Sequence, residues 1–175
     1  IVVVDAVSGV MVQTEKAWAY ADEFQLPRMI VVNRMDRDTA SFSRSLSSIQ
    51  QSLGRMCVPI QIPIGEERGF KGVADLVQMK AYIYQTDGSG KFTEAAIPAD
   101  LADLANEYRE KLVEAVAESD EKLMEKFFDS GTLSDEEMTG GLQKQVSEGK
   151  LYPILYTSAA ANVGMQPLLN AIVNF

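Results

Sequence analysis

The residues best equipped for chemistry in this chain are Asn33-Arg34-Met35-Asp36, which directly follow the apolar run Met29-Ile30-Val31-Val32. In an open α/β sheet, ligands gather at the carboxyl ends of the strands, so this loop is placed to touch one. An ionised Asp36 carboxylate accepts two parallel N–H bonds, and guanine presents such a pair at N1 and its exocyclic 2-amino group. Adenine has neither donor, and a site built around such bonds rejects the analogue lacking them by roughly 10⁴ or more. Asn33 carries a donor and an acceptor on one amide, suited to tying the loop together and to reaching the N7 and O6 edge. The methylene stem of Arg34 suits a flat base. The same residue types also serve as turn former and helix N-cap between a strand and a helix, and on the motif alone that plainer reading stays open.

A second segment occupies the same kind of position. Thr157-Ser158-Ala159-Ala160 follows the apolar strand Leu151 to Tyr156 and precedes a helix. Its small residues let backbone N–H groups approach a ligand carbonyl, and the Ser158 hydroxyl is able to brace the Asp36 loop; in isolation a plain small-residue turn is the favoured reading. Asp87-Gly88-Ser89-Gly90 formally matches the D-x-x-G pattern of nucleotide switches, but it lies between Tyr84 and Phe92 and reads as a hairpin turn. No G-x-x-x-x-G-K-[ST] phosphate loop occurs in the chain.

Composition narrows the classes. With 175 residues, 46% of them hydrophobic, the chain is sized for one ordinary domain. The sequence contains no histidine, which removes His-based triads, His general bases and the usual zinc sites. A lone Cys57, strand-sized apolar runs and no secretory signal fit a soluble cytoplasmic protein without disulfides. The net charge of −9 argues against a simple nucleic-acid surface. From Pro98 to Lys150 there are fourteen Asp or Glu against six Lys or Arg, so one stretch holds nearly all the excess.

The elements that position these loops are legible as pattern. Ile1 to Val4 reads as a strand buried on both faces of a parallel sheet, without initiator Met, so the chain reads as a fragment of something longer. A helix is expected from Gln13 to Phe24 with Ala17, Tyr20, Ala21 and Phe24 on its apolar face, and another from Thr39 to Leu53. With the strand at Met29 they make a βαβ pattern that resumes at Leu151 to Tyr156, where Pro153 must sit near the strand start, and ends with a helix from Met165 to Val173. Between them, Val58 to Ile64 alternates, and Phe70 to Leu76 and Met79 to Tyr84 read as antiparallel hairpin strands. An apolar stripe follows at Leu101, Leu104, Tyr108, Leu112 and Val116, then helices at Glu121 to Phe128 and Asp135 to Ser147, the last with a Ser134/Glu137 capping box. The expected fold is α/β: a parallel sheet with helices on both faces, residues 1–57 and 151–175, interrupted by an α+β insertion, residues 58–150; that the sheet is a partial P-loop-NTPase-like one is what a family resemblance implies.

These residues together resemble the fourth and fifth guanine-recognition motifs of the GTP-binding translation factors, and elongation factor G with its paralogues in particular. The resemblance also runs through Asp5-Ala6-Val7-Ser8-Gly9-Val10, Gln13-Thr14-Glu15, Pro27-Arg28, Pro59 to Gly65, Phe70 to Leu76 and Tyr108-Arg109-Glu110-Lys111-Leu112, in order and spacing. It implies GTP or GDP as ligand, with Asn33 and Asp36 holding the guanine, Arg34 on the base where the family usually has lysine, the Ala159 N–H on O6, and Ser158 and Ala160 completing that loop. It implies Mg²⁺ in a longer parent that hydrolyses GTP in translation elongation, for ribosomal translocation or recycling. The phosphate loop, switches and Mg²⁺ ligands lie outside this chain, which has no catalytic residue of its own. The insertion corresponds to the subdomain that meets the ribosomal stalk protein, making Glu107, Glu110, Glu114 and Glu118 candidates for steering a basic partner, with a solvated helical face as the plainer reading. The ribosome is the expected partner and a monomer the expected state. A ribosome-protection or release-factor-type GTPase is the alternative within the family, and a non-hydrolysing interaction module the alternative outside it.

Overall fold

Parallel pairing of short apolar runs organises the computed structural model, which describes residues 1–118 and 120–175. Strand β1 (Val2–Asp5) leads through helix α1 (Val12–Glu23) to β2 (Ile30–Asn33), then through α2 (Phe42–Leu53) to β3 (Cys57–Pro59). An antiparallel unit follows, with β4 (Gln61–Ile64), β5 (Gly72–Asp75), β6 (Lys80–Tyr84) and β7 (Phe92–Ala95). Helices α3 (Ala102–Ala117), α4 (Glu121–Ser130) and α5 (Asp135–Ser147) lead back to β8 (Tyr152–Tyr156) and α6 (Met165–Asn174). The first sheet is parallel in the order β1-β2-β8-β3; the second is antiparallel in the order β4-β5-β6-β7. Consecutive residues of β2 and β8 are buried, so both faces of these inner strands are covered. On the edge strand β1, Val2 and Val4 are buried while Val3 is exposed.

Two expectations are corrected. Val58 and Pro59, read as the start of the insertion, pair with Pro153 and Ile154 and belong to the parallel sheet. The single alternating strand expected there is broken at Ile60, whose N–H donates to the Ile154 carbonyl of one sheet while its own carbonyl accepts from Leu76 N–H of the other. One hydrophobic core accordingly runs through both sheets. The buried face of α1 is Thr14, Trp18 and Ala21, leaving Ala17, Tyr20 and Phe24 exposed. Arg28 decides this: its buried guanidinium lies 4.2 Å from the Trp18 ring and 4.6 Å from Tyr152, donates to the Trp18 carbonyl at 2.9 Å and pairs with Asp22. The cation thus draws Trp18 inward.

Burial in β3 pushes the Cys57 thiol up to about 12, against the opposing charge of Arg28. Pro153 sits ahead of the residues that pair with β2, where its missing N–H leaves that ladder intact.

The acidic helices are locally well specified. Leu112 and Val116 of the expected stripe are buried, with Leu101, Leu104 and Tyr108 packed against the core. Ser134 and Glu137 form a reciprocal capping box at the start of α5, and Lys126 of α4 pairs with the same glutamate. The Lys126 ammonium first, and the Ser134 N–H and hydroxyl after it, hold Glu137 down at about 2 from 4.5. A carboxylate with a depressed folded-state value stabilises above its unfolded value and loses that contribution as pH falls through the folded one. The melting-temperature advantage of the parent over Glu137→Gln is therefore full above about pH 4.5, shrinks as pH falls from there through about 2, and vanishes only below it; parallel thermal melts across that range check it.

Candidate functional site

Because β2 and β8 are hydrogen-bonded neighbours, the loops leaving their carboxyl ends must meet. Asn33 is the last residue of β2; its side-chain Oδ1 accepts from the Ala159 N–H at 3.0 Å and from the Thr157 hydroxyl at 3.3 Å. The main chain adds a rung, Met35 N–H to the Thr157 carbonyl at 3.1 Å, and buried Met35 anchors the loop in the core. The fully buried Ser158 hydroxyl donates to Asp36 Oδ1 at 2.6 Å and accepts from the Ala161 N–H at 3.3 Å. Asp36 Oδ2 has no protein partner among the described residues, nor has the exposed Ala160 N–H.

Asp36 is therefore not the cap of the following helix. That helix begins at Phe42 with Ser41 at its N-cap, and residues between are folded in turns closed by Arg37 N–H to Arg34 carbonyl and Ala40 N–H to Arg37 carbonyl. Arg34 adopts the left-handed backbone region, φ 70°, and its guanidinium donates to Asp5 Oδ2 at 2.7 Å while remaining half exposed. Asp5 ends β1 in register with Asn33 and also accepts from the Val7 and Ser8 N–H groups at 2.9 Å. Burial opposes its charge, but those two N–H bonds and the Arg34 cation together hold Asp5 below the ordinary carboxylate range.

Sequence reasoning named Asn33, Arg34, Asp36, Ser158, Ala159 and Ala160, and the structure brings all six into one pair of abutting loops. It did not assign roles to Asp5 and Thr157. The signal for Asp5 was present in its position, an acid ending the neighbouring strand. Gly164 closes the second loop: at φ 78°, a Cβ there would stand 2.5 Å from the Tyr156 carbonyl oxygen. The β8-following loop thus returns tightly on its strand before α6 begins. Among the described residues, no cluster of carboxylates and thiols could hold a metal ion, and no helix is long and apolar enough to cross a membrane.

The parallel sheet flanked by helices, with two adjoining loops at its carboxyl end, one opening with Asn-x-x-Asp and the other carrying Ser-Ala, matches the G-domain fold of P-loop GTPases. The whole chain, residues 1–175, matches the family described as the Elongation factor Tu GTP binding domain, and it belongs to that family of GTP-binding elongation-factor domains. It is also similar to a crystal structure of a protein from Thermus thermophilus, at 32% identity and a TM-score of 0.87, covering 98% of this chain and 25% of that one. The chain thus spans a quarter of the length of that solved protein.

The Ser158–Asp36 bond is the internal link of the site, and its worth is measurable without any ligand. A double-mutant cycle of Ser158→Ala and Asp36→Ala, followed by urea unfolding, is expected to give a coupling energy of about 1.5–3 kcal/mol, the range for a hydrogen bond to a charged group. Additive effects would show the two groups to be energetically independent.

Proposed function

We propose that this chain is the guanine-binding part of the G domain of an elongation-factor-G-like translational GTPase. The observation that carries the reading is the Asp36 carboxylate, fixed through Oδ1 by a buried serine and left with Oδ2 free of protein partners among the described residues. A carboxylate so held presents acceptor capacity in one direction at no further orienting cost, which suits the paired N1 and 2-amino donors of guanine. Asn33 is locked by Ala159 and Thr157 through its oxygen, which leaves its amide NH₂ to donate to N7. The base O6 takes the Ala160 N–H or competes with Asn33 for that of Ala159. Arg34 is tethered by Asp5 at the rim, with its stem available to pack on the base.

In the longer parent, GTP binding and hydrolysis drive ribosomal translocation or recycling in the cytoplasm, and the protein works as a monomer. The phosphates and Mg²⁺, which supplies the charge neutralisation that phosphoryl transfer needs, are held by segments this sequence does not contain, so this chain alone does not hydrolyse GTP. Residues between β3 and β8 act as an inserted subdomain that meets a basic ribosomal partner, in this reading the stalk protein. What supports this is the exposure of Glu107, Glu110 and Glu114 at helical spacing on α3 and of Glu118 at its C-cap, with only Glu107 engaged by a lysine, Lys111, among the described residues.

Two measurements test these readings. In the full-length protein, Asp36→Asn lowers GTP affinity by more than about tenfold and favours xanthine nucleotides, whose 2-oxo group accepts from the new amide; titration with fluorescent GTP and XTP analogues reads this, and unchanged GTP affinity refutes it. Reversing Glu107, Glu110, Glu114 and Glu118 to lysine abolishes salt-sensitive binding to the isolated stalk protein. Binding that survives unchanged and is indifferent to salt assigns these charges to solvation alone.

A further inference from the structure

Two segments of the antiparallel unit reach back to the base-recognition loops. The first is the β4–β5 connection, a single 3₁₀ turn at Glu67–Gly69. Glu67 Oε1 accepts from the Thr39 N–H at 2.9 Å, and the Glu66 carboxylate accepts from the Phe42 N–H at the start of α2. These two bonds pin both ends of the stretch that carries the Asp36 loop into its helix. The turn is built for this approach: Gly65, at φ 79°, stands where a Cβ would lie 2.1 Å from the Gly69 carbonyl oxygen, and Glu67 itself is left-handed at φ 53°.

The second is the tip of the β6–β7 hairpin, the segment Asp87-Gly88-Ser89-Gly90 that mimics a switch motif. Asp87 Oδ1 accepts from the Ser89 N–H at 2.9 Å, so the acid serves the turn. The tip lies against Asn162: the Asn162 side-chain NH₂ donates to the Gly88 carbonyl at 3.4 Å, and a Cβ on Gly90 would fall 2.4 Å from the same nitrogen. Asn162 in turn donates its N–H to the Ala159 carbonyl at 3.2 Å, and its neighbour Val163 is paired with Ser158 through two bonds of 3.0 Å. Asn162, left-handed at φ 56°, is thus the corner of the loop that presents Ser158, Ala159 and Ala160.

We propose that the inserted antiparallel sheet is the outer wall of the base site, with Glu67 and Asn162 as positioning residues that set the Asp36 loop and the Ser158–Ala160 loop against each other. The inference rests on the guanine reading above. Neither residue touches the base; each holds a loop whose own groups do. Loosening either loop disorders Asp36, so guanine, which makes two bonds to that carboxylate, loses more than hypoxanthine, which keeps only the N1 bond.

The test compares GDP with inosine diphosphate, which lacks the 2-amino group, on the full-length protein by stopped-flow release of fluorescent analogues. Glu67→Ala with Asn162→Ala is expected to speed GDP release by roughly three- to tenfold, the worth of one hydrogen bond, while inosine diphosphate release changes far less. Glu67→Gln, which keeps the acceptor, restores the parent rate. Each single substitution carries part of the effect, so the question is answered even where the double variant does not fold. Equal acceleration for both nucleotides, or none, overturns the proposal. Asp36→Asn, measured alongside, separates the two failures: if it abolishes guanine preference while the wall variants keep theirs, only the wall falls; if it leaves guanine binding intact, the base reading falls.

Discussion

The bond from the Ser158 hydroxyl to the Asp36 carboxylate spans 122 positions of sequence, and the rest of the architecture is what makes so short a contact possible. It requires β2 and β8 to be neighbours in register, and that in turn requires everything between them to leave the parallel sheet and return. Pairing of Ile30, Val31 and Val32 with Ile154, Leu155 and Tyr156 is therefore a constraint on the whole intervening chain. A one-position slip would send every side chain of β8 to the opposite face and carry Ser158 away from Asp36, because side chains alternate along a strand. The inner strands resist this through burial on both faces, while Asn33 and Thr157 add polar bonds that only the correct register satisfies.

What held the insertion together was partly visible in advance. The Ser134/Glu137 box, the stripe on α3 and the hairpin strands follow from local spacing, and local spacing is where sequence patterns are strongest. The α1 face was misread because period alone cannot weigh a buried cation. Trp18 and Tyr152 lie on distant elements, and only their joint contact with Arg28 shows which side of the helix turns inward. The break at Ile60 was hidden for a similar reason: a continuous alternation in Val58 to Ile64 says nothing about which sheet each half joins. At the site, the residue types were legible because each supplies a distinct hydrogen-bonding capacity. Their mutual arrangement was not, since it depends on strand order.

The same limit explains why Glu67 and Asn162 escaped notice. Each is an ordinary surface polar residue by type, and each makes its contact with a partner remote in sequence, Thr39 for Glu67 and Gly88 for Asn162. The division of labour is physically sensible. In the proposed site the groups suited to a base sit on loops, where backbone N–H groups are accessible, and the hydrogen-bonded sheet beside them would limit their wandering. The left-handed corners at Arg34, Glu67 and Asn162 mark where the chain turns sharply to make these contacts.

Cys57 has a practical corollary. Its sulfur is enclosed in β3 and stays protonated at neutral pH, so maleimides and disulfide reagents find no reactive thiolate on this chain. A cysteine introduced on the exposed surface of α3 would be alkylated selectively without first removing the native one. Spin or fluorescent probes can thereby be attached to the acidic helix while the parallel sheet keeps its own packing.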